Sequence, residues 1–142
     1  MGLLFYSAIC DAAGEKIREK IETELPDKRL EIFHSIGALS TRLQEPRVKP
    51  DVAVLCASSR EELLDLLSLA EFLQDIRIVL ILPDRDPWTV ARGHKLRPRF
   101  ISDRDNDYLE ITIILKRLLS QSEEKENFQV PKRQKGEKGG PS

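Results

Sequence analysis

Apolar residues occur along this chain in short blocks, some contiguous and some spaced by three or four, and that rhythm predicts strands alternating with helices. Leu3 to Ile9 is a contiguous run, partly aromatic and β-branched, and Ile17, Ile21 and Leu25 then recur at helical spacing among Glu and Lys. Leu30 to Ile36 interleaves apolar residues with Glu31 and His34 behind a Pro26-Asp27 turn, which reads as a second, less buried strand. Ile36, Leu39 and Leu43 allow two helical turns at most, because Pro46 and Pro50 forbid continuation. Asp51 to Leu55 is a brief apolar run after an acid, the pattern of a central strand covered on both faces.

Two overlapping Ser-x-x-Glu capping boxes, Ser58 with Glu61 and Ser59 with Glu62, predict a helix start. The apolar stripe Leu63, Leu66, Leu67, Ala70, Phe72 and Leu73 carries that helix onward. Ile76 to Leu82 reads as a strand ending at Pro83-Asp84, and Asp86-Pro87 supplies an N-cap and a proline at the first helical position. The helix from Trp88 should be short and loose, interrupted by Gly93 and stopped by Pro98. Arg99 to Ser102 makes a last brief strand, and Asp107-x-x-Glu110 opens a last helix with Leu109, Ile113, Ile114, Leu115, Leu118 and Leu119 turned inward. Ser122 to Ser142 is almost wholly charged or small, with Phe128 and Val130 as its burial material, so a domain over residues 1–121 and a disordered tail over 122–142 are expected.

Five strand-and-helix units joined by short turns require right-handed crossovers, hence a parallel sheet with helices on both faces. The fold class expected is α/β, a three-layer α/β/α flavodoxin-like domain with five parallel strands in the order 2-1-3-4-5. In that order the first and third strands are neighbours, and the crevice at their carboxyl ends is the natural site. Cys10, Asp11 and Cys56 all fall there.

Composition narrows the partners. The chain has 142 residues, 33% of them charged, with a formal net charge of -1, so it exerts no global pull toward phosphate or a membrane, and nucleic acid is not the expected partner. Its longest apolar runs, about six or seven residues, fall far short of the roughly 20 that span a bilayer. Met1-Gly2-Leu3-Leu4-Phe5 carries no basic leader, and the two cysteines read as reduced thiols, so a cytoplasmic location is expected.

The run from Pro50-Asp51 through four apolar residues to position 56 resembles the third strand of response-regulator receiver domains, which ends on a phosphate-accepting aspartate. Here that position holds Cys56. The resemblance extends over roughly residues 3 to 120. It implies that a magnesium-binding pair of acids should follow the first strand, where Cys10 and Asp11 leave one carboxylate. It also implies a hydroxyl at the end of the fourth strand and a lysine at the end of the fifth, where Leu82-Pro83 and Ser102-Asp103 stand. Magnesium wants hard oxygen ligands, and a transferred phosphoryl group needs cations around it. The expectation is therefore a degenerate receiver, or pseudo-receiver: a non-catalytic signalling or protein-interaction module with no metal and no cofactor. Receiver domains meet partners or a second copy through the fourth helix, fifth strand and fifth helix. That makes Trp88, Arg92, Lys95, Arg99 and Tyr108 the candidate interface for a protein partner or self-association.

Other readings compete at particular residues. The loops around Asp11, Gly14 and Cys56 suit a small-ligand or nucleotide-binding domain at the carboxyl edge of the sheet, although one glycine is weak evidence and Asp11 suits a helix cap. Cys10 and Cys56, with His34, would make a redox pair or soft-metal site if they met, against the plainer reading of buried small apolar residues. Arg92, His94, Lys95, Arg97 and Arg99, near Trp88 and Phe100, form a basic run that would suit phosphates or would simply be a solvated face. Trp88 and Tyr108 would equally serve as cover for the core edge. His34 and His94 lie in separate units and capping explains Ser58 and Ser59, so no nucleophile, base and orienter come together and no enzyme is expected.

Overall fold

The computed structural model describes residues 2–8, 11–26, 29–104 and 109–120. The elements are β1 (Leu3–Ser7), α1 (Ala12–Glu24), β2 (Leu30–Phe33), α2 (Ile36–Gln44), β3 (Val52–Cys56), α3 (Arg60–Leu67), β4 (Arg77–Leu82), α4 (Pro87–Gly93), β5 (Phe100–Asp103) and α5 (109–120). The strands form one parallel sheet in the order β2-β1-β3-β4-β5, as the alternation of units predicts.

The sheet is a middle layer because its central strands have no polar face. Every residue of β1 and β3 is buried, and successive side chains go to opposite sides. Leu4, Tyr6, Ala53, Leu55 and Leu80 pack on the side that holds Leu39 and Leu43 of α2 and Leu63 and Leu66 of α3. Leu3, Phe5, Val52, Val54 and Ile81 pack on the other, against Ile17 and Ile21 of α1 and Ile111 and Leu115 of α5. β2, an edge strand, is half-buried throughout. Its Glu31 is held by the buried Arg42 of α2 at 2.7 Å, and the same guanidinium donates to the Val48 carbonyl at 2.9 Å.

Several boundaries differ from the sequence expectation, each for a local reason. β2 stops at Phe33 and not at Ile36, because Ser35 caps α2 by accepting from the Ala38 amide at 3.1 Å. β5 begins at Phe100 and runs through Asp103, one residue later than expected at each end. α3 does not run on to Leu73: it ends at Leu67, and a 3₁₀ turn over Ala70–Leu73 follows. Ser68 Oγ donates to the Asp65 carbonyl at 2.5 Å and its amide reaches both Leu64 and Asp65, which tightens the chain out of α-geometry. On α5 the buried stripe is Ile111, Leu115, Leu118 and Leu119; Leu109 and Ile113, expected inward, are 46% and 50% exposed. Positions 111, 115 and 118 repeat at i, i+4 and i+7, and 109 and 113 belong to a different stripe of the same helix. The expected tail at 122–142 and the cap at Asp107 lie outside the described residues.

Only one of the two capping boxes forms. Ser59 Oγ accepts from the Glu62 amide at 3.1 Å, and Glu62 Oε1 returns to Ser58, accepting from its amide at 2.7 Å and its hydroxyl at 2.9 Å. Ser59→Ala should therefore lower stability by about 1 kcal/mol. The change should appear as a lower urea midpoint with an unchanged slope; an unaltered midpoint would show the cap to be idle.

Candidate functional site

The carboxyl ends of β1 and β3 lie side by side, with Ser7 in register with Cys56, and the chain leaving β1 enters α1 at Asp11. α1 approaches this rim closely because Gly14 faces Ser7: a Cβ at Gly14 would sit 2.6 Å from Ser7 Cβ and 3.0 Å from Asp11 Oδ2. Asp11 occupies the N-cap position, yet its carboxylate makes no capping hydrogen bond. It turns instead toward Arg104, the residue after β5. Arg104 Nη1 donates to Oδ2 at 2.7 Å, and Nη2 lies 2.5 Å from Oδ1 as a charge contact without hydrogen-bond alignment. The Asp11 side chain is 1% exposed and that of Arg104 is 24% exposed.

Cys56 completes the cluster. Its Sγ lies 3.7 Å from Asp11 Oδ2 and 3.9 Å from Arg104 Nη1. Burial pushes the Asp11 carboxyl up, but the hydrogen bond and charge of Arg104 outweigh that and hold it below the usual carboxylate range. Burial and the neighbouring Asp11 charge push the Cys56 thiol up to about 12. The cluster is thus a closed ion pair beside a neutral thiol. At neutral pH Cys56 is therefore held as the unreactive thiol. Alkylation of the folded protein followed by peptide mapping should leave the Cys56 peptide unmodified until denaturant is added; rapid labelling in the native state would refute this burial.

Around the rim, Tyr6 donates to Glu62 Oε2 at 2.7 Å, and burial followed by that bond raises its phenol above its ordinary value. Asp103 pairs with Arg85. His34 Nδ1 lies 2.9 Å from the Ser7 carbonyl oxygen, which assigns the proton to that nitrogen. Among the described residues no three His, Cys, Asp or Glu side chains are grouped to hold a metal ion. Cys10 lies outside the described residues, so its distance from Cys56 is not part of this geometry.

The candidate interface residues do not gather into one patch. Trp88 is turned toward α3, with the Arg60 guanidinium 5.6 Å and that of Arg92 4.6 Å from its ring centre. Arg60 is itself tied to Asp84 at 3.0 Å. Lys95 and Arg99 sit at the opposite, amino-terminal edge of the sheet, lining clefts with Arg97. Tyr108 lies outside the described residues. Leu82 ends β4 in register with Asp103, and both line a cavity of about 200 Å³ with Val90 and Ile101.

Solved structures share this fold. A response regulator receiver protein from Pseudoalteromonas atlantica superposes with a TM-score of 0.67 at 12% identity, over 86% of this chain and 99% of that one. The BeF3-activated DrrB receiver domain gives 0.63 at 15% identity, over 84% and 98%. A two-component response regulator from Legionella pneumophila gives 0.61 at 18%, over 84% and 99%. The fold is that of response-regulator receiver domains. The sequence matches no family model and none of the curated proteins compared with it. In this receiver fold the sequence reading placed Asp11 and Cys56 together at the rim, and it passed over Arg104, which is joined to Asp11 across 93 positions.

No helix among the described residues is long and apolar enough to cross a membrane.

Proposed function

We propose that this chain is a non-catalytic signalling or protein-interaction module, a receiver fold in which phosphoryl transfer has been given up. The observation that carries this reading is the Asp11, Arg104 and Cys56 cluster. Magnesium, which the receiver resemblance implies, does not fit the donors present: a single carboxylate already facing a guanidinium, beside a neutral thiol. A buried thiol whose pKa is pushed up to about 12 is a poor acceptor for a phosphoryl group, and Arg104 Nη1 stands 3.9 Å from its sulfur.

The partner, a protein or a second copy in the cytoplasm, meets the face made by α4, β5 and α5. Leu109 and Ile113, one helical turn apart and half exposed on α5, support that choice. Ile113→Glu should weaken self-association or partner capture in sedimentation while leaving the thermal midpoint unchanged, and an unchanged sedimentation profile would count against the face.

The decisive experiment is incubation with a small acyl-phosphate donor and magnesium, read by intact mass. An unchanged mass is expected. A phosphoryl adduct that maps to Asp11 or Cys56 would overturn the reading.

A further inference from the structure

We propose that the cleft at the amino-terminal end of the sheet is a docking surface for the acidic stretch Gln121 to Glu126 of this same chain. The place where α5 ends points there. Arg77, the first residue of β4, donates from Nη1 to the Leu118 carbonyl at 2.7 Å, within the last turn of α5, which ends at residue 120. Arg77 also lines a cavity of about 370 Å³ with Gln74, Asp75, Ile76, Arg97 and Arg99. A second cavity, about 590 Å³, shares the walls at Gln74, Asp75, Ile76 and Arg97 and adds Lys95. The chain beyond α5 therefore starts at the mouth of this cleft.

Backbone geometry strings the cations away from that point. The Arg99 amide donates to the Ile78 carbonyl at 2.8 Å, where β5 begins to run beside β4, so Arg99 stands one strand spacing from the start of β4. Lys95 lies in the 3₁₀ turn His94–Leu96, and Arg97 ends it. Lys95, Arg97 and Arg99 make no ion pair among the described residues, and with Arg77 they outnumber Glu71 and Asp75, the acids of the same walls. Other cations without an acid are placed elsewhere: Lys16 is on the second turn of α1, toward the carboxyl end of the sheet, and Arg29 precedes β2, at the edge far from β4.

The order of charges beyond α5 chooses the occupant. Glu123, Glu124 and Glu126 come first, against Lys125 alone, and the sequence then turns basic at Lys132, Arg133, Lys135 and Lys138 against Glu137. Six extended residues reach about 20 Å. That length carries the three acids beneath the edge of the sheet to the cations of the cleft and leaves the basic stretch beyond them. The contact runs through charge and asks for no apolar wall. Because both sides belong to one chain, the encounter is intramolecular at an effective concentration of about millimolar, so a modest attraction suffices. The cleft is separate from the Asp11 rim and independent of whether phosphoryl transfer occurs there.

The test is amide NMR of the full chain at low salt, with substitutions made on one side of the contact and read on the other. Glu123→Gln, Glu124→Gln and Glu126→Gln together should shift the amide signals of Gln74 to Ile76 and of Lys95 to Arg99. Arg97→Gly with Arg99→Gln should in turn shift the amides of residues 122–127. Glycine suits the backbone at Arg97, where φ is 54°, and the thermal midpoint checks that this variant keeps its fold. Both sets of shifts should vanish at about 1 M salt, where the Debye length is about 3 Å, and should not change on dilution. Arg18→Gln, on the surface of α1, should shift neither set. The proposal is overturned if either segment is silent to substitution in the other, if the shifts persist at high salt, or if they fade on dilution, which would put a second copy's acidic stretch in the cleft.

Discussion

Arg104→Met should destabilise the folded chain by about 3 kcal/mol at pH 7, the largest effect expected of any single substitution at the rim. The substitution keeps much of the side-chain volume and removes the charge, stranding a carboxylate whose side chain is 1% exposed. Breaking a buried pair from one side costs roughly 3–5 kcal/mol, and the lower end applies because Arg104 keeps about a quarter of its side chain in water. The pH dependence separates this mechanism from simple loss of packing. In the parent, Asp11 has a folded pKa below its unfolded value, so its contribution is present above the unfolded pKa and is lost as pH falls through the folded one. Without Arg104 the burial of Asp11 is opposed only by the weaker contributions of the Gly14 amide and the Cys56 thiol, so the folded pKa moves up toward or past the unfolded value and acidification costs the variant less than it costs the parent. The deficit of the variant should therefore shrink between pH 7 and pH 4 in urea titrations. Asp11→Asn combined with Arg104→Met should recover most of it, to within about 1 kcal/mol of the parent. A deficit constant with pH, or a double variant no better than the single one, would show that Arg104 acts through packing.

The same pair explains what could be read in advance and what could not. Strand order was legible because it follows from chain connectivity: five short apolar runs separated by helical spacings leave one economical sheet. Asp11 and Cys56 were legible as neighbours because topology alone puts the ends of β1 and β3 together. Arg104 was not, for it lies just past a strand expected to end at Ser102, and its partner is 93 positions away. No local pattern marks such a residue. α3 shows a second kind of limit. Its apolar stripe continues past Leu67, but the side chain of Ser68 competes for the backbone and the periodicity carries no trace of that. Trp88 shows a third: an aromatic at the start of α4 reads as an anchor, while which neighbour it faces depended on Arg60 from another element. Periodicity reports which face of an element is buried and is silent on which polar groups meet at its ends.

Gly14 is where these two kinds of information combine, and substitution there should have the second-largest effect. In a solvated helix, glycine to alanine stabilises by about 1 kcal/mol. At Gly14 the new Cβ would lie 2.6 Å from Ser7 Cβ, an atom fixed to the buried backbone of β1 and unable to swing aside. Overpacking of this kind costs about 1–3 kcal/mol, so with backbone-fixed Ser7 Cβ as the obstacle the propensity gain is outweighed and Gly14→Ala should be destabilising by about 1 kcal/mol. Gly14→Val adds branches in the same space with little propensity gain, and about 2 kcal/mol is expected. Gly37, in the first turn of α2, has nothing within 4 Å of its Cβ position, so Gly37→Ala should instead stabilise, by up to about 1 kcal/mol. Urea midpoints moving in opposite directions for the two alanine variants would establish that α1 is pressed onto β1 at the rim. Because Asp11 Oδ2 is only 3.0 Å from the same Cβ position, relief of the clash must also shift Asp11 relative to Cys56. Gly14→Ala should then expose Cys56 to alkylation sooner than Gly37→Ala does, at matched global stability. Equal alkylation of the two would detach the rim cluster from the packing of α1 and leave Arg104 alone to hold it.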